Sequence, residues 1–124
     1  MSTFQKRETM RELRILGKWY SVDFGKDSIA LTLRRVQEKL EEIEKKERGS
    51  LGQAQLFTQM MEEEKALLKE AIGEILGDGQ DISHIFETDD TAVMHRDVYT
   101  FLVEEYIQVM RGYSPYDLER IEGL

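Results

Sequence analysis

His84 and His95 are the two histidines of this 124-residue chain, which contains no cysteine. That excludes a thiol nucleophile and thiolate metal ligands, no Ser-His-Asp set can be proposed from spacing alone, and a metal centre would have to be built from these imidazoles and the abundant carboxylates. The stretch that brings a histidine together with acids and glycines is residues 70–90, EAIGEILGDGQDISHIFETDD. A calcium loop of the EF-hand type needs oxygen ligands at alternate positions, a central glycine and a bidentate glutamate at the twelfth place. Counting from Asp78, the alternate positions are Gln80, Ile82 and His84; counting from Asp81 they are Ser83, Ile85 and Glu87. Neither register supplies the ligands. The same stretch reads without strain as helix punctuation. Gly77 or Gly79 provides a left-handed C-terminal stop, Asp81 caps a short ISHIF helix, and Asp89 and Asp90 form a second cap. The two histidines fall on different helices in this reading, and neither belongs to an HExxH pattern.

The glutamates invite a second comparison. All-α nucleotide pyrophosphohydrolases hold magnesium with acids one helical turn apart, in the pattern EExxE followed by ExxD. Here Glu41 and Glu42 are followed at the required place by Lys45, and Glu74 is followed by Gly77. Both halves of the ligand set are broken, so metal-dependent hydrolysis of nucleotides is a remote reading. GDGQ lacks the Lys-Ser/Thr and preceding strand of a phosphate-binding loop. The sequence thus assigns no catalytic residue, no cofactor and no metal ligand, and the expected function is binding.

Composition narrows the partners. A net charge of −8 and 34% charged residues describe an acidic surface, with Arg34 and Arg35 as the one notable basic pair. Nucleic-acid binding needs a basic face that displaces counterions, and is not expected. No apolar run reaches the ~18–20 residues that span a bilayer, and MSTFQKRETM has no apolar core of a secretory signal. Expected partners are proteins, favouring basic surface, and the expected location is cytoplasmic.

The elements that position these groups can be read in order. Residues 1–12 are expected to be a flexible arm, 13–111 a single helical domain, and 112–124 a tail or short helix. LRILGKWYSVDFG contains β-prone runs at 13–16 and 19–24 around Gly17-Lys18, a pair that suits a type II′ turn. Tyr20, Val22 and Phe24 alternate with polar neighbours, so one face of the hairpin should lie on a helix. Ile29, Leu33, Val36, Leu40 and Ile43 recur every three or four residues, an amphipathic helix of about six turns capped by Asp27 or Ser28. A second helix, roughly 51–76, has its cap at Ser50. A third, 92–110, has Val98, Phe101, Leu102, Tyr106, Val109 and Met110 as its core face. The expected fold is mainly α: three long helices with short connecting and C-terminal helices, and an N-terminal β-hairpin packed on the bundle.

Two places are candidates for partner binding. Leu56, Phe57, Met60 and Met61 form a soft apolar group on the second helix, for which core packing is the competing explanation. Tyr113, Tyr116, Leu118 and Ile121 make an amphipathic unit after Ser114-Pro115, suited either to docking on the bundle or to a partner's groove. The wide stripe of the second helix also allows self-association.

Three segments resemble a known family. The hairpin LGKWYSVDFG leading into a long charged helix, the later AIGEILGDGQDISHIF and the final helix VYTFLVEEYIQVM are similar to small tail proteins of siphophages and Firmicute prophages, described as tail assembly chaperones. The likeness covers roughly residues 13–110 and lies in structural punctuation, not chemistry. The chain departs from the family in carrying ETDD where relatives often have glycine after IF, and in its longer end after Gly112. The resemblance implies a protein of the bacterial host's cytoplasm that binds the tape-measure or tail-tube protein without catalysis. A small acidic adaptor unrelated to phage is the alternative from another class.

Overall fold

The computed structural model describes residues 2–49 (backbone alone at 47 and 48), 53–77 and 81–111. Within them the chain is mainly helical, with an N-terminal antiparallel hairpin packed against the helices, as the residue patterns lead one to expect. The hairpin comprises β1, Met10–Ile15, and β2, Lys18–Asp23. Its inward face alternates as a half-buried strand pair must: Leu13, Ile15, Tyr20 and Val22 are buried while Glu12, Arg14, Trp19 and Ser21 face solvent. β1 begins three residues before the expected start at Leu13, and Thr9 extends the pairing by accepting a hydrogen bond from the Phe24 amide at 3.1 Å.

The turn corrects the sequence reading by one residue. Ile15 pairs with Lys18, so the two-residue loop is Leu16-Gly17 and not Gly17-Lys18. Both loop residues have positive φ, 48° and 84°, which is type I′ geometry rather than type II′. Placing the loop one residue earlier keeps Ile15 on the buried face. A one-residue slip would have turned every apolar side chain of one strand outward.

Helix α1, Asp27–Gly49, carries its five expected apolar residues inward, with Ile29, Val36 and Ile43 buried and Leu33 and Leu40 half-buried. Asp27 lies inside the first turn instead of capping it, where its charge still complements the helix dipole. Helix α2, Ala54–Leu76, starts later than expected and has Gln53 before it with no side-chain cap; the expected cap at Ser50 lies outside the described residues. It ends at Gly77, whose φ of 102° and ψ of 154° suit glycine but are not the left-handed helical stop anticipated for it. Helix α3, Ala92–Arg111, is capped by Thr91, whose hydroxyl accepts from the Met94 amide at 3.2 Å. Asp89, one of the two expected caps, instead braces Thr91, accepting from its amide at 3.0 Å and its hydroxyl at 2.6 Å.

α2 is the central element. α1 runs antiparallel to it: Thr32 and Arg35 reach Glu74, while Leu40 and Ile43 lie opposite Leu68 and Glu64. α3 packs on α2 through the Arg96–Glu64 pair and Tyr99. The hairpin packs on α2 through β2 and also faces α3. Its tip at Leu16 lines a cleft together with Met94 and Phe101, and at its base the Phe24 and Tyr106 ring centroids are 6.4 Å apart. The largest core cluster joins the buried face of the hairpin to Ile72, Ile75, Leu76, Ile85, Phe86, Val98, Leu102 and Val109. Val36, Leu68 and Ala71 form a second cluster, and Tyr99 packs against both.

Candidate interaction surface

The groups with potential chemistry hold the fold together. The His84 ring stacks on Tyr20 with centroids 5.9 Å apart, and its Nδ1 lies 3.1 Å from the Tyr20 hydroxyl. Its Nε2 lies 3.5 Å from the Ile15 carbonyl, and the Tyr20 hydroxyl also donates to the Asp81 carbonyl at 3.3 Å. Lys18 Nζ donates to the Asp81 carbonyl at 3.1 Å, and together these contacts tie the hairpin to the segment before α3. Burial first, then the Asp81 charge, push the Tyr20 hydroxyl above the usual tyrosine range. Asp81 itself accepts from the Ser83 amide at 2.9 Å in an Asx turn, so Ile82, not Asp81, occupies the cap position of the short 3-10 turn Ser83–Phe86.

His95 is 1% exposed and stacks on Phe86 with centroids 4.0 Å apart. Its Nδ1 donates to the Thr91 carbonyl at 2.7 Å, and its Nε2 lies 3.5 Å from Asp90, which also meets Lys65 at 3.5 Å and Lys69 at 3.8 Å. The acids behave alike. Burial raises the Glu74 carboxyl, but hydrogen bonds from Thr32 and Arg35, both 2.8 Å, outweigh it and hold the group below its usual range. Glu64 forms a two-pronged pair with Arg96 at 2.5 and 2.8 Å. Among the described residues no three His, Asp or Glu side chains gather where a metal could sit, and no helix is long and apolar enough to cross a membrane.

The two groups proposed for partner binding fare differently. On α2, Met60 is 1% exposed and belongs to the interior, Leu56 and Met61 are half-buried, and Phe57 is 48% exposed. Helical spacing puts Met60 on the opposite side from the solvent, so these four do not form one open surface. Tyr113, Tyr116, Leu118 and Ile121 lie outside the described residues.

Two of the clefts on the described surface are bounded by more than one element and carry apolar lining. One, of about 360 Å³, lies between α1 and α3 over α2, with Leu40, Ile43, Leu68 and Tyr99 as its apolar lining and Glu44, Glu64 and Arg96 as its polar one. Burial raises the Tyr99 hydroxyl above its usual range there. The other, of about 260 Å³, lies between the end of β1 and α3, lined by Arg14, Ile15, Leu16, Met94, Asp97, Val98 and Phe101. It is smaller than the roughly 300–1,000 Å³ that enclose drug-sized ligands, and fits a side chain or two. Phe101, expected in the core, is 36% exposed at its wall, and Leu16 is 58% exposed at its mouth. Sequence reasoning missed this cleft because it joins residues far apart in the chain. The one local signal is a leucine, not an asparagine, before the turn glycine.

Comparison with protein-family models, with curated proteins and with solved structures returned no match.

Proposed function

We propose that this chain is a non-enzymatic tail assembly chaperone, a cytoplasmic protein of phage or prophage tail morphogenesis that binds the tape-measure or tail-tube protein. The observation that carries the reading is the sequence resemblance at the hairpin, the 71–86 stretch and the last helix. Exposed apolar side chains on an acidic surface support it physically. Leu16, Trp19, Leu31, Phe57, Val93 and Phe101 stand at or above one-third exposure on a chain of net charge −8. Charge keeps such a protein soluble, and weak, repeated binding through apolar surface is what the resemblance implies for a long apolar helical client.

Co-expression with the tape-measure protein encoded nearest to this chain tests the reading. The expected result is a tape measure that is soluble only with this chain and co-purifies with it. Deleting residues 112–124 then shows whether the C-terminal segment takes part. A tape measure equally insoluble with and without the chain would remove the proposal and favour an adaptor function unrelated to tails.

A further inference from the structure

We infer that the outer edge of β1, together with the cleft beneath it, is a strand-addition site for an extended segment of a partner protein. The hydrogen-bond parity of the hairpin defines the edge. Ile15 and Lys18 close a two-residue loop and so exchange both main-chain hydrogen bonds, as do Leu13 with Tyr20 and Arg11 with Val22. The amides and carbonyls of Met10, Glu12 and Arg14 therefore point away from β2. Met10 is blocked by the chain itself: its amide donates to Glu8 Oε1 at 3.0 Å, and its carbonyl accepts from Arg11 Nη1 at 3.2 Å. The main-chain groups of Glu12 and Arg14 have no protein partner among the described residues. The edge is closed at one end and open over 12–14, next to the apolar cleft.

The cleft supplies the second half of the site. Ile15, Leu16, Met94, Val98 and Phe101 lie where the inward side chains of an added strand would point. The turn gives an independent sign that Leu16 is there for its side chain. A type I′ loop favours Asn-Gly, and a leucine held at φ 48° carries a backbone cost that a more compatible residue would not. That cost leaves an aliphatic side chain more than half exposed at the cleft mouth.

Charge and space identify the occupant. On the solvent face Glu12 and Arg14 stand two residues apart. An antiparallel strand places an acidic residue opposite Arg14 and, two positions later, a basic residue opposite Glu12. The residues before and between them point inward to the cleft and must be apolar. The site thus selects the order apolar–acidic–apolar–basic in an extended chain. β1 itself contains Glu12-Leu13-Arg14, but a second copy would bring its own α3 to the ground on which the added strand rests. A slender segment without a covering helix fits instead. The site is defined without reference to tail assembly, and its test needs only this protein and a peptide.

The probe is a soluble eight-residue peptide containing Val-Glu-Val-Lys, with Val-Lys-Val-Glu in the same flanks as control. Amide hydrogen exchange of the full chain is followed by NMR. The Glu12 and Arg14 amides are expected to exchange fast alone and at least about tenfold more slowly at saturating peptide. Leu13 and Ile15 are expected to be protected in both states. The control peptide is expected to bind roughly fivefold more weakly, and the Glu12→Arg/Arg14→Glu double variant to reverse that preference. Phe101→Asp, checked for retained helicity by circular dichroism, is expected to lose binding. Failure of the first peptide to slow Glu12 and Arg14 overturns the inference. So does protection that rises with protein concentration alone, which would mark a second copy as the occupant. Protection without peptide that disappears when residues 112–124 are removed would assign the edge to the chain's own C-terminal segment, and equally overturns it.

Discussion

At Leu16 two opposing effects can be weighed. The left-handed conformation costs a non-glycine residue roughly 1–2 kcal/mol, less for asparagine, which tolerates it. The contacts that Leu16 makes are worth less than the ~2 kcal/mol of a fully buried leucine, because it is 58% exposed. Relief of strain should win. Leu16→Asn is therefore expected to raise the stability of the protein by about 0.5 kcal/mol, read as a higher urea midpoint at unchanged slope. A lower midpoint would mean that the leucine side chain is worth more than its exposure suggests. The same variant should weaken the peptide described above, separating the stability of the turn from its use. Such a separation is what a residue kept for binding, and not for folding, must show.

Among the elements, α2 and α3 are joined by shared core and, at one point, by the Glu64–Arg96 pair. The Glu64 side chain is 11% exposed and that of Arg96 50%. Removing the arginine strands a carboxylate in a poorly solvated place, which costs ~3–5 kcal/mol for a fully buried pair and about 2 kcal/mol here, where solvent reaches one partner. Arg96→Met is expected to lose that amount by urea titration. Glu64→Met added to it should recover most of the loss, since two apolar side chains leave no stranded charge. A double variant as unstable as the single one would show that Arg96 acts through other contacts. Met60, Glu64 and Leu68 recur every four residues, so spacing alone puts Glu64 on the buried stripe, although EEEK reads by composition as an exposed face. Its partner Arg96, on a distant helix, is what no local reading supplies. The stripe from Ile29 to Ile43 was legible because burial of a helix face imposes its period on the sequence. The α3 cap was misplaced by one or two residues because Asp89, Asp90 and Thr91 all have capping side chains, and only the packing of Asp90 toward Lys65 and Lys69 leaves the cap to Thr91. The turn slipped by one because leucine is a poor predictor of a left-handed residue. The β1–α3 cleft was illegible for a different reason: its walls meet only after the hairpin has docked.

For the whole molecule, charge and hydrogen bonding pull stability in opposite directions as pH falls. The net charge of −8 repels itself near neutrality, so partial protonation of ordinary exposed carboxylates should relieve strain. Several acids resist. The Thr9 hydroxyl and then the Gly25 amide hold Asp23 below its usual range, Ser83 does so for Asp81, and Thr91 for Asp89. A carboxylate with a depressed folded value contributes stability that is complete above its unfolded value, about 3.9 for aspartate, and is lost as pH falls through the folded one. These groups brace the hairpin base, the segment before the 3-10 turn and the α3 cap, so their protonation loosens joints between elements that share the largest core cluster. Stability is therefore expected to be level or slightly rising from pH 7 to about 5, and to fall below about pH 4. Trp19, the single tryptophan, reports on the hairpin and far-ultraviolet circular dichroism on the helices. Because the hairpin's buried face is part of the same core as α2 and α3, both signals should give one urea midpoint at each pH down to that limit. Asp23→Asn should flatten the acid limb, having removed one of the groups that produce it. A Trp19 midpoint that departs from the helical one while pH is still near neutral would mean that the hairpin opens by itself. In that case the edge of β1 would be created and lost with local unfolding, not displayed by the folded protein.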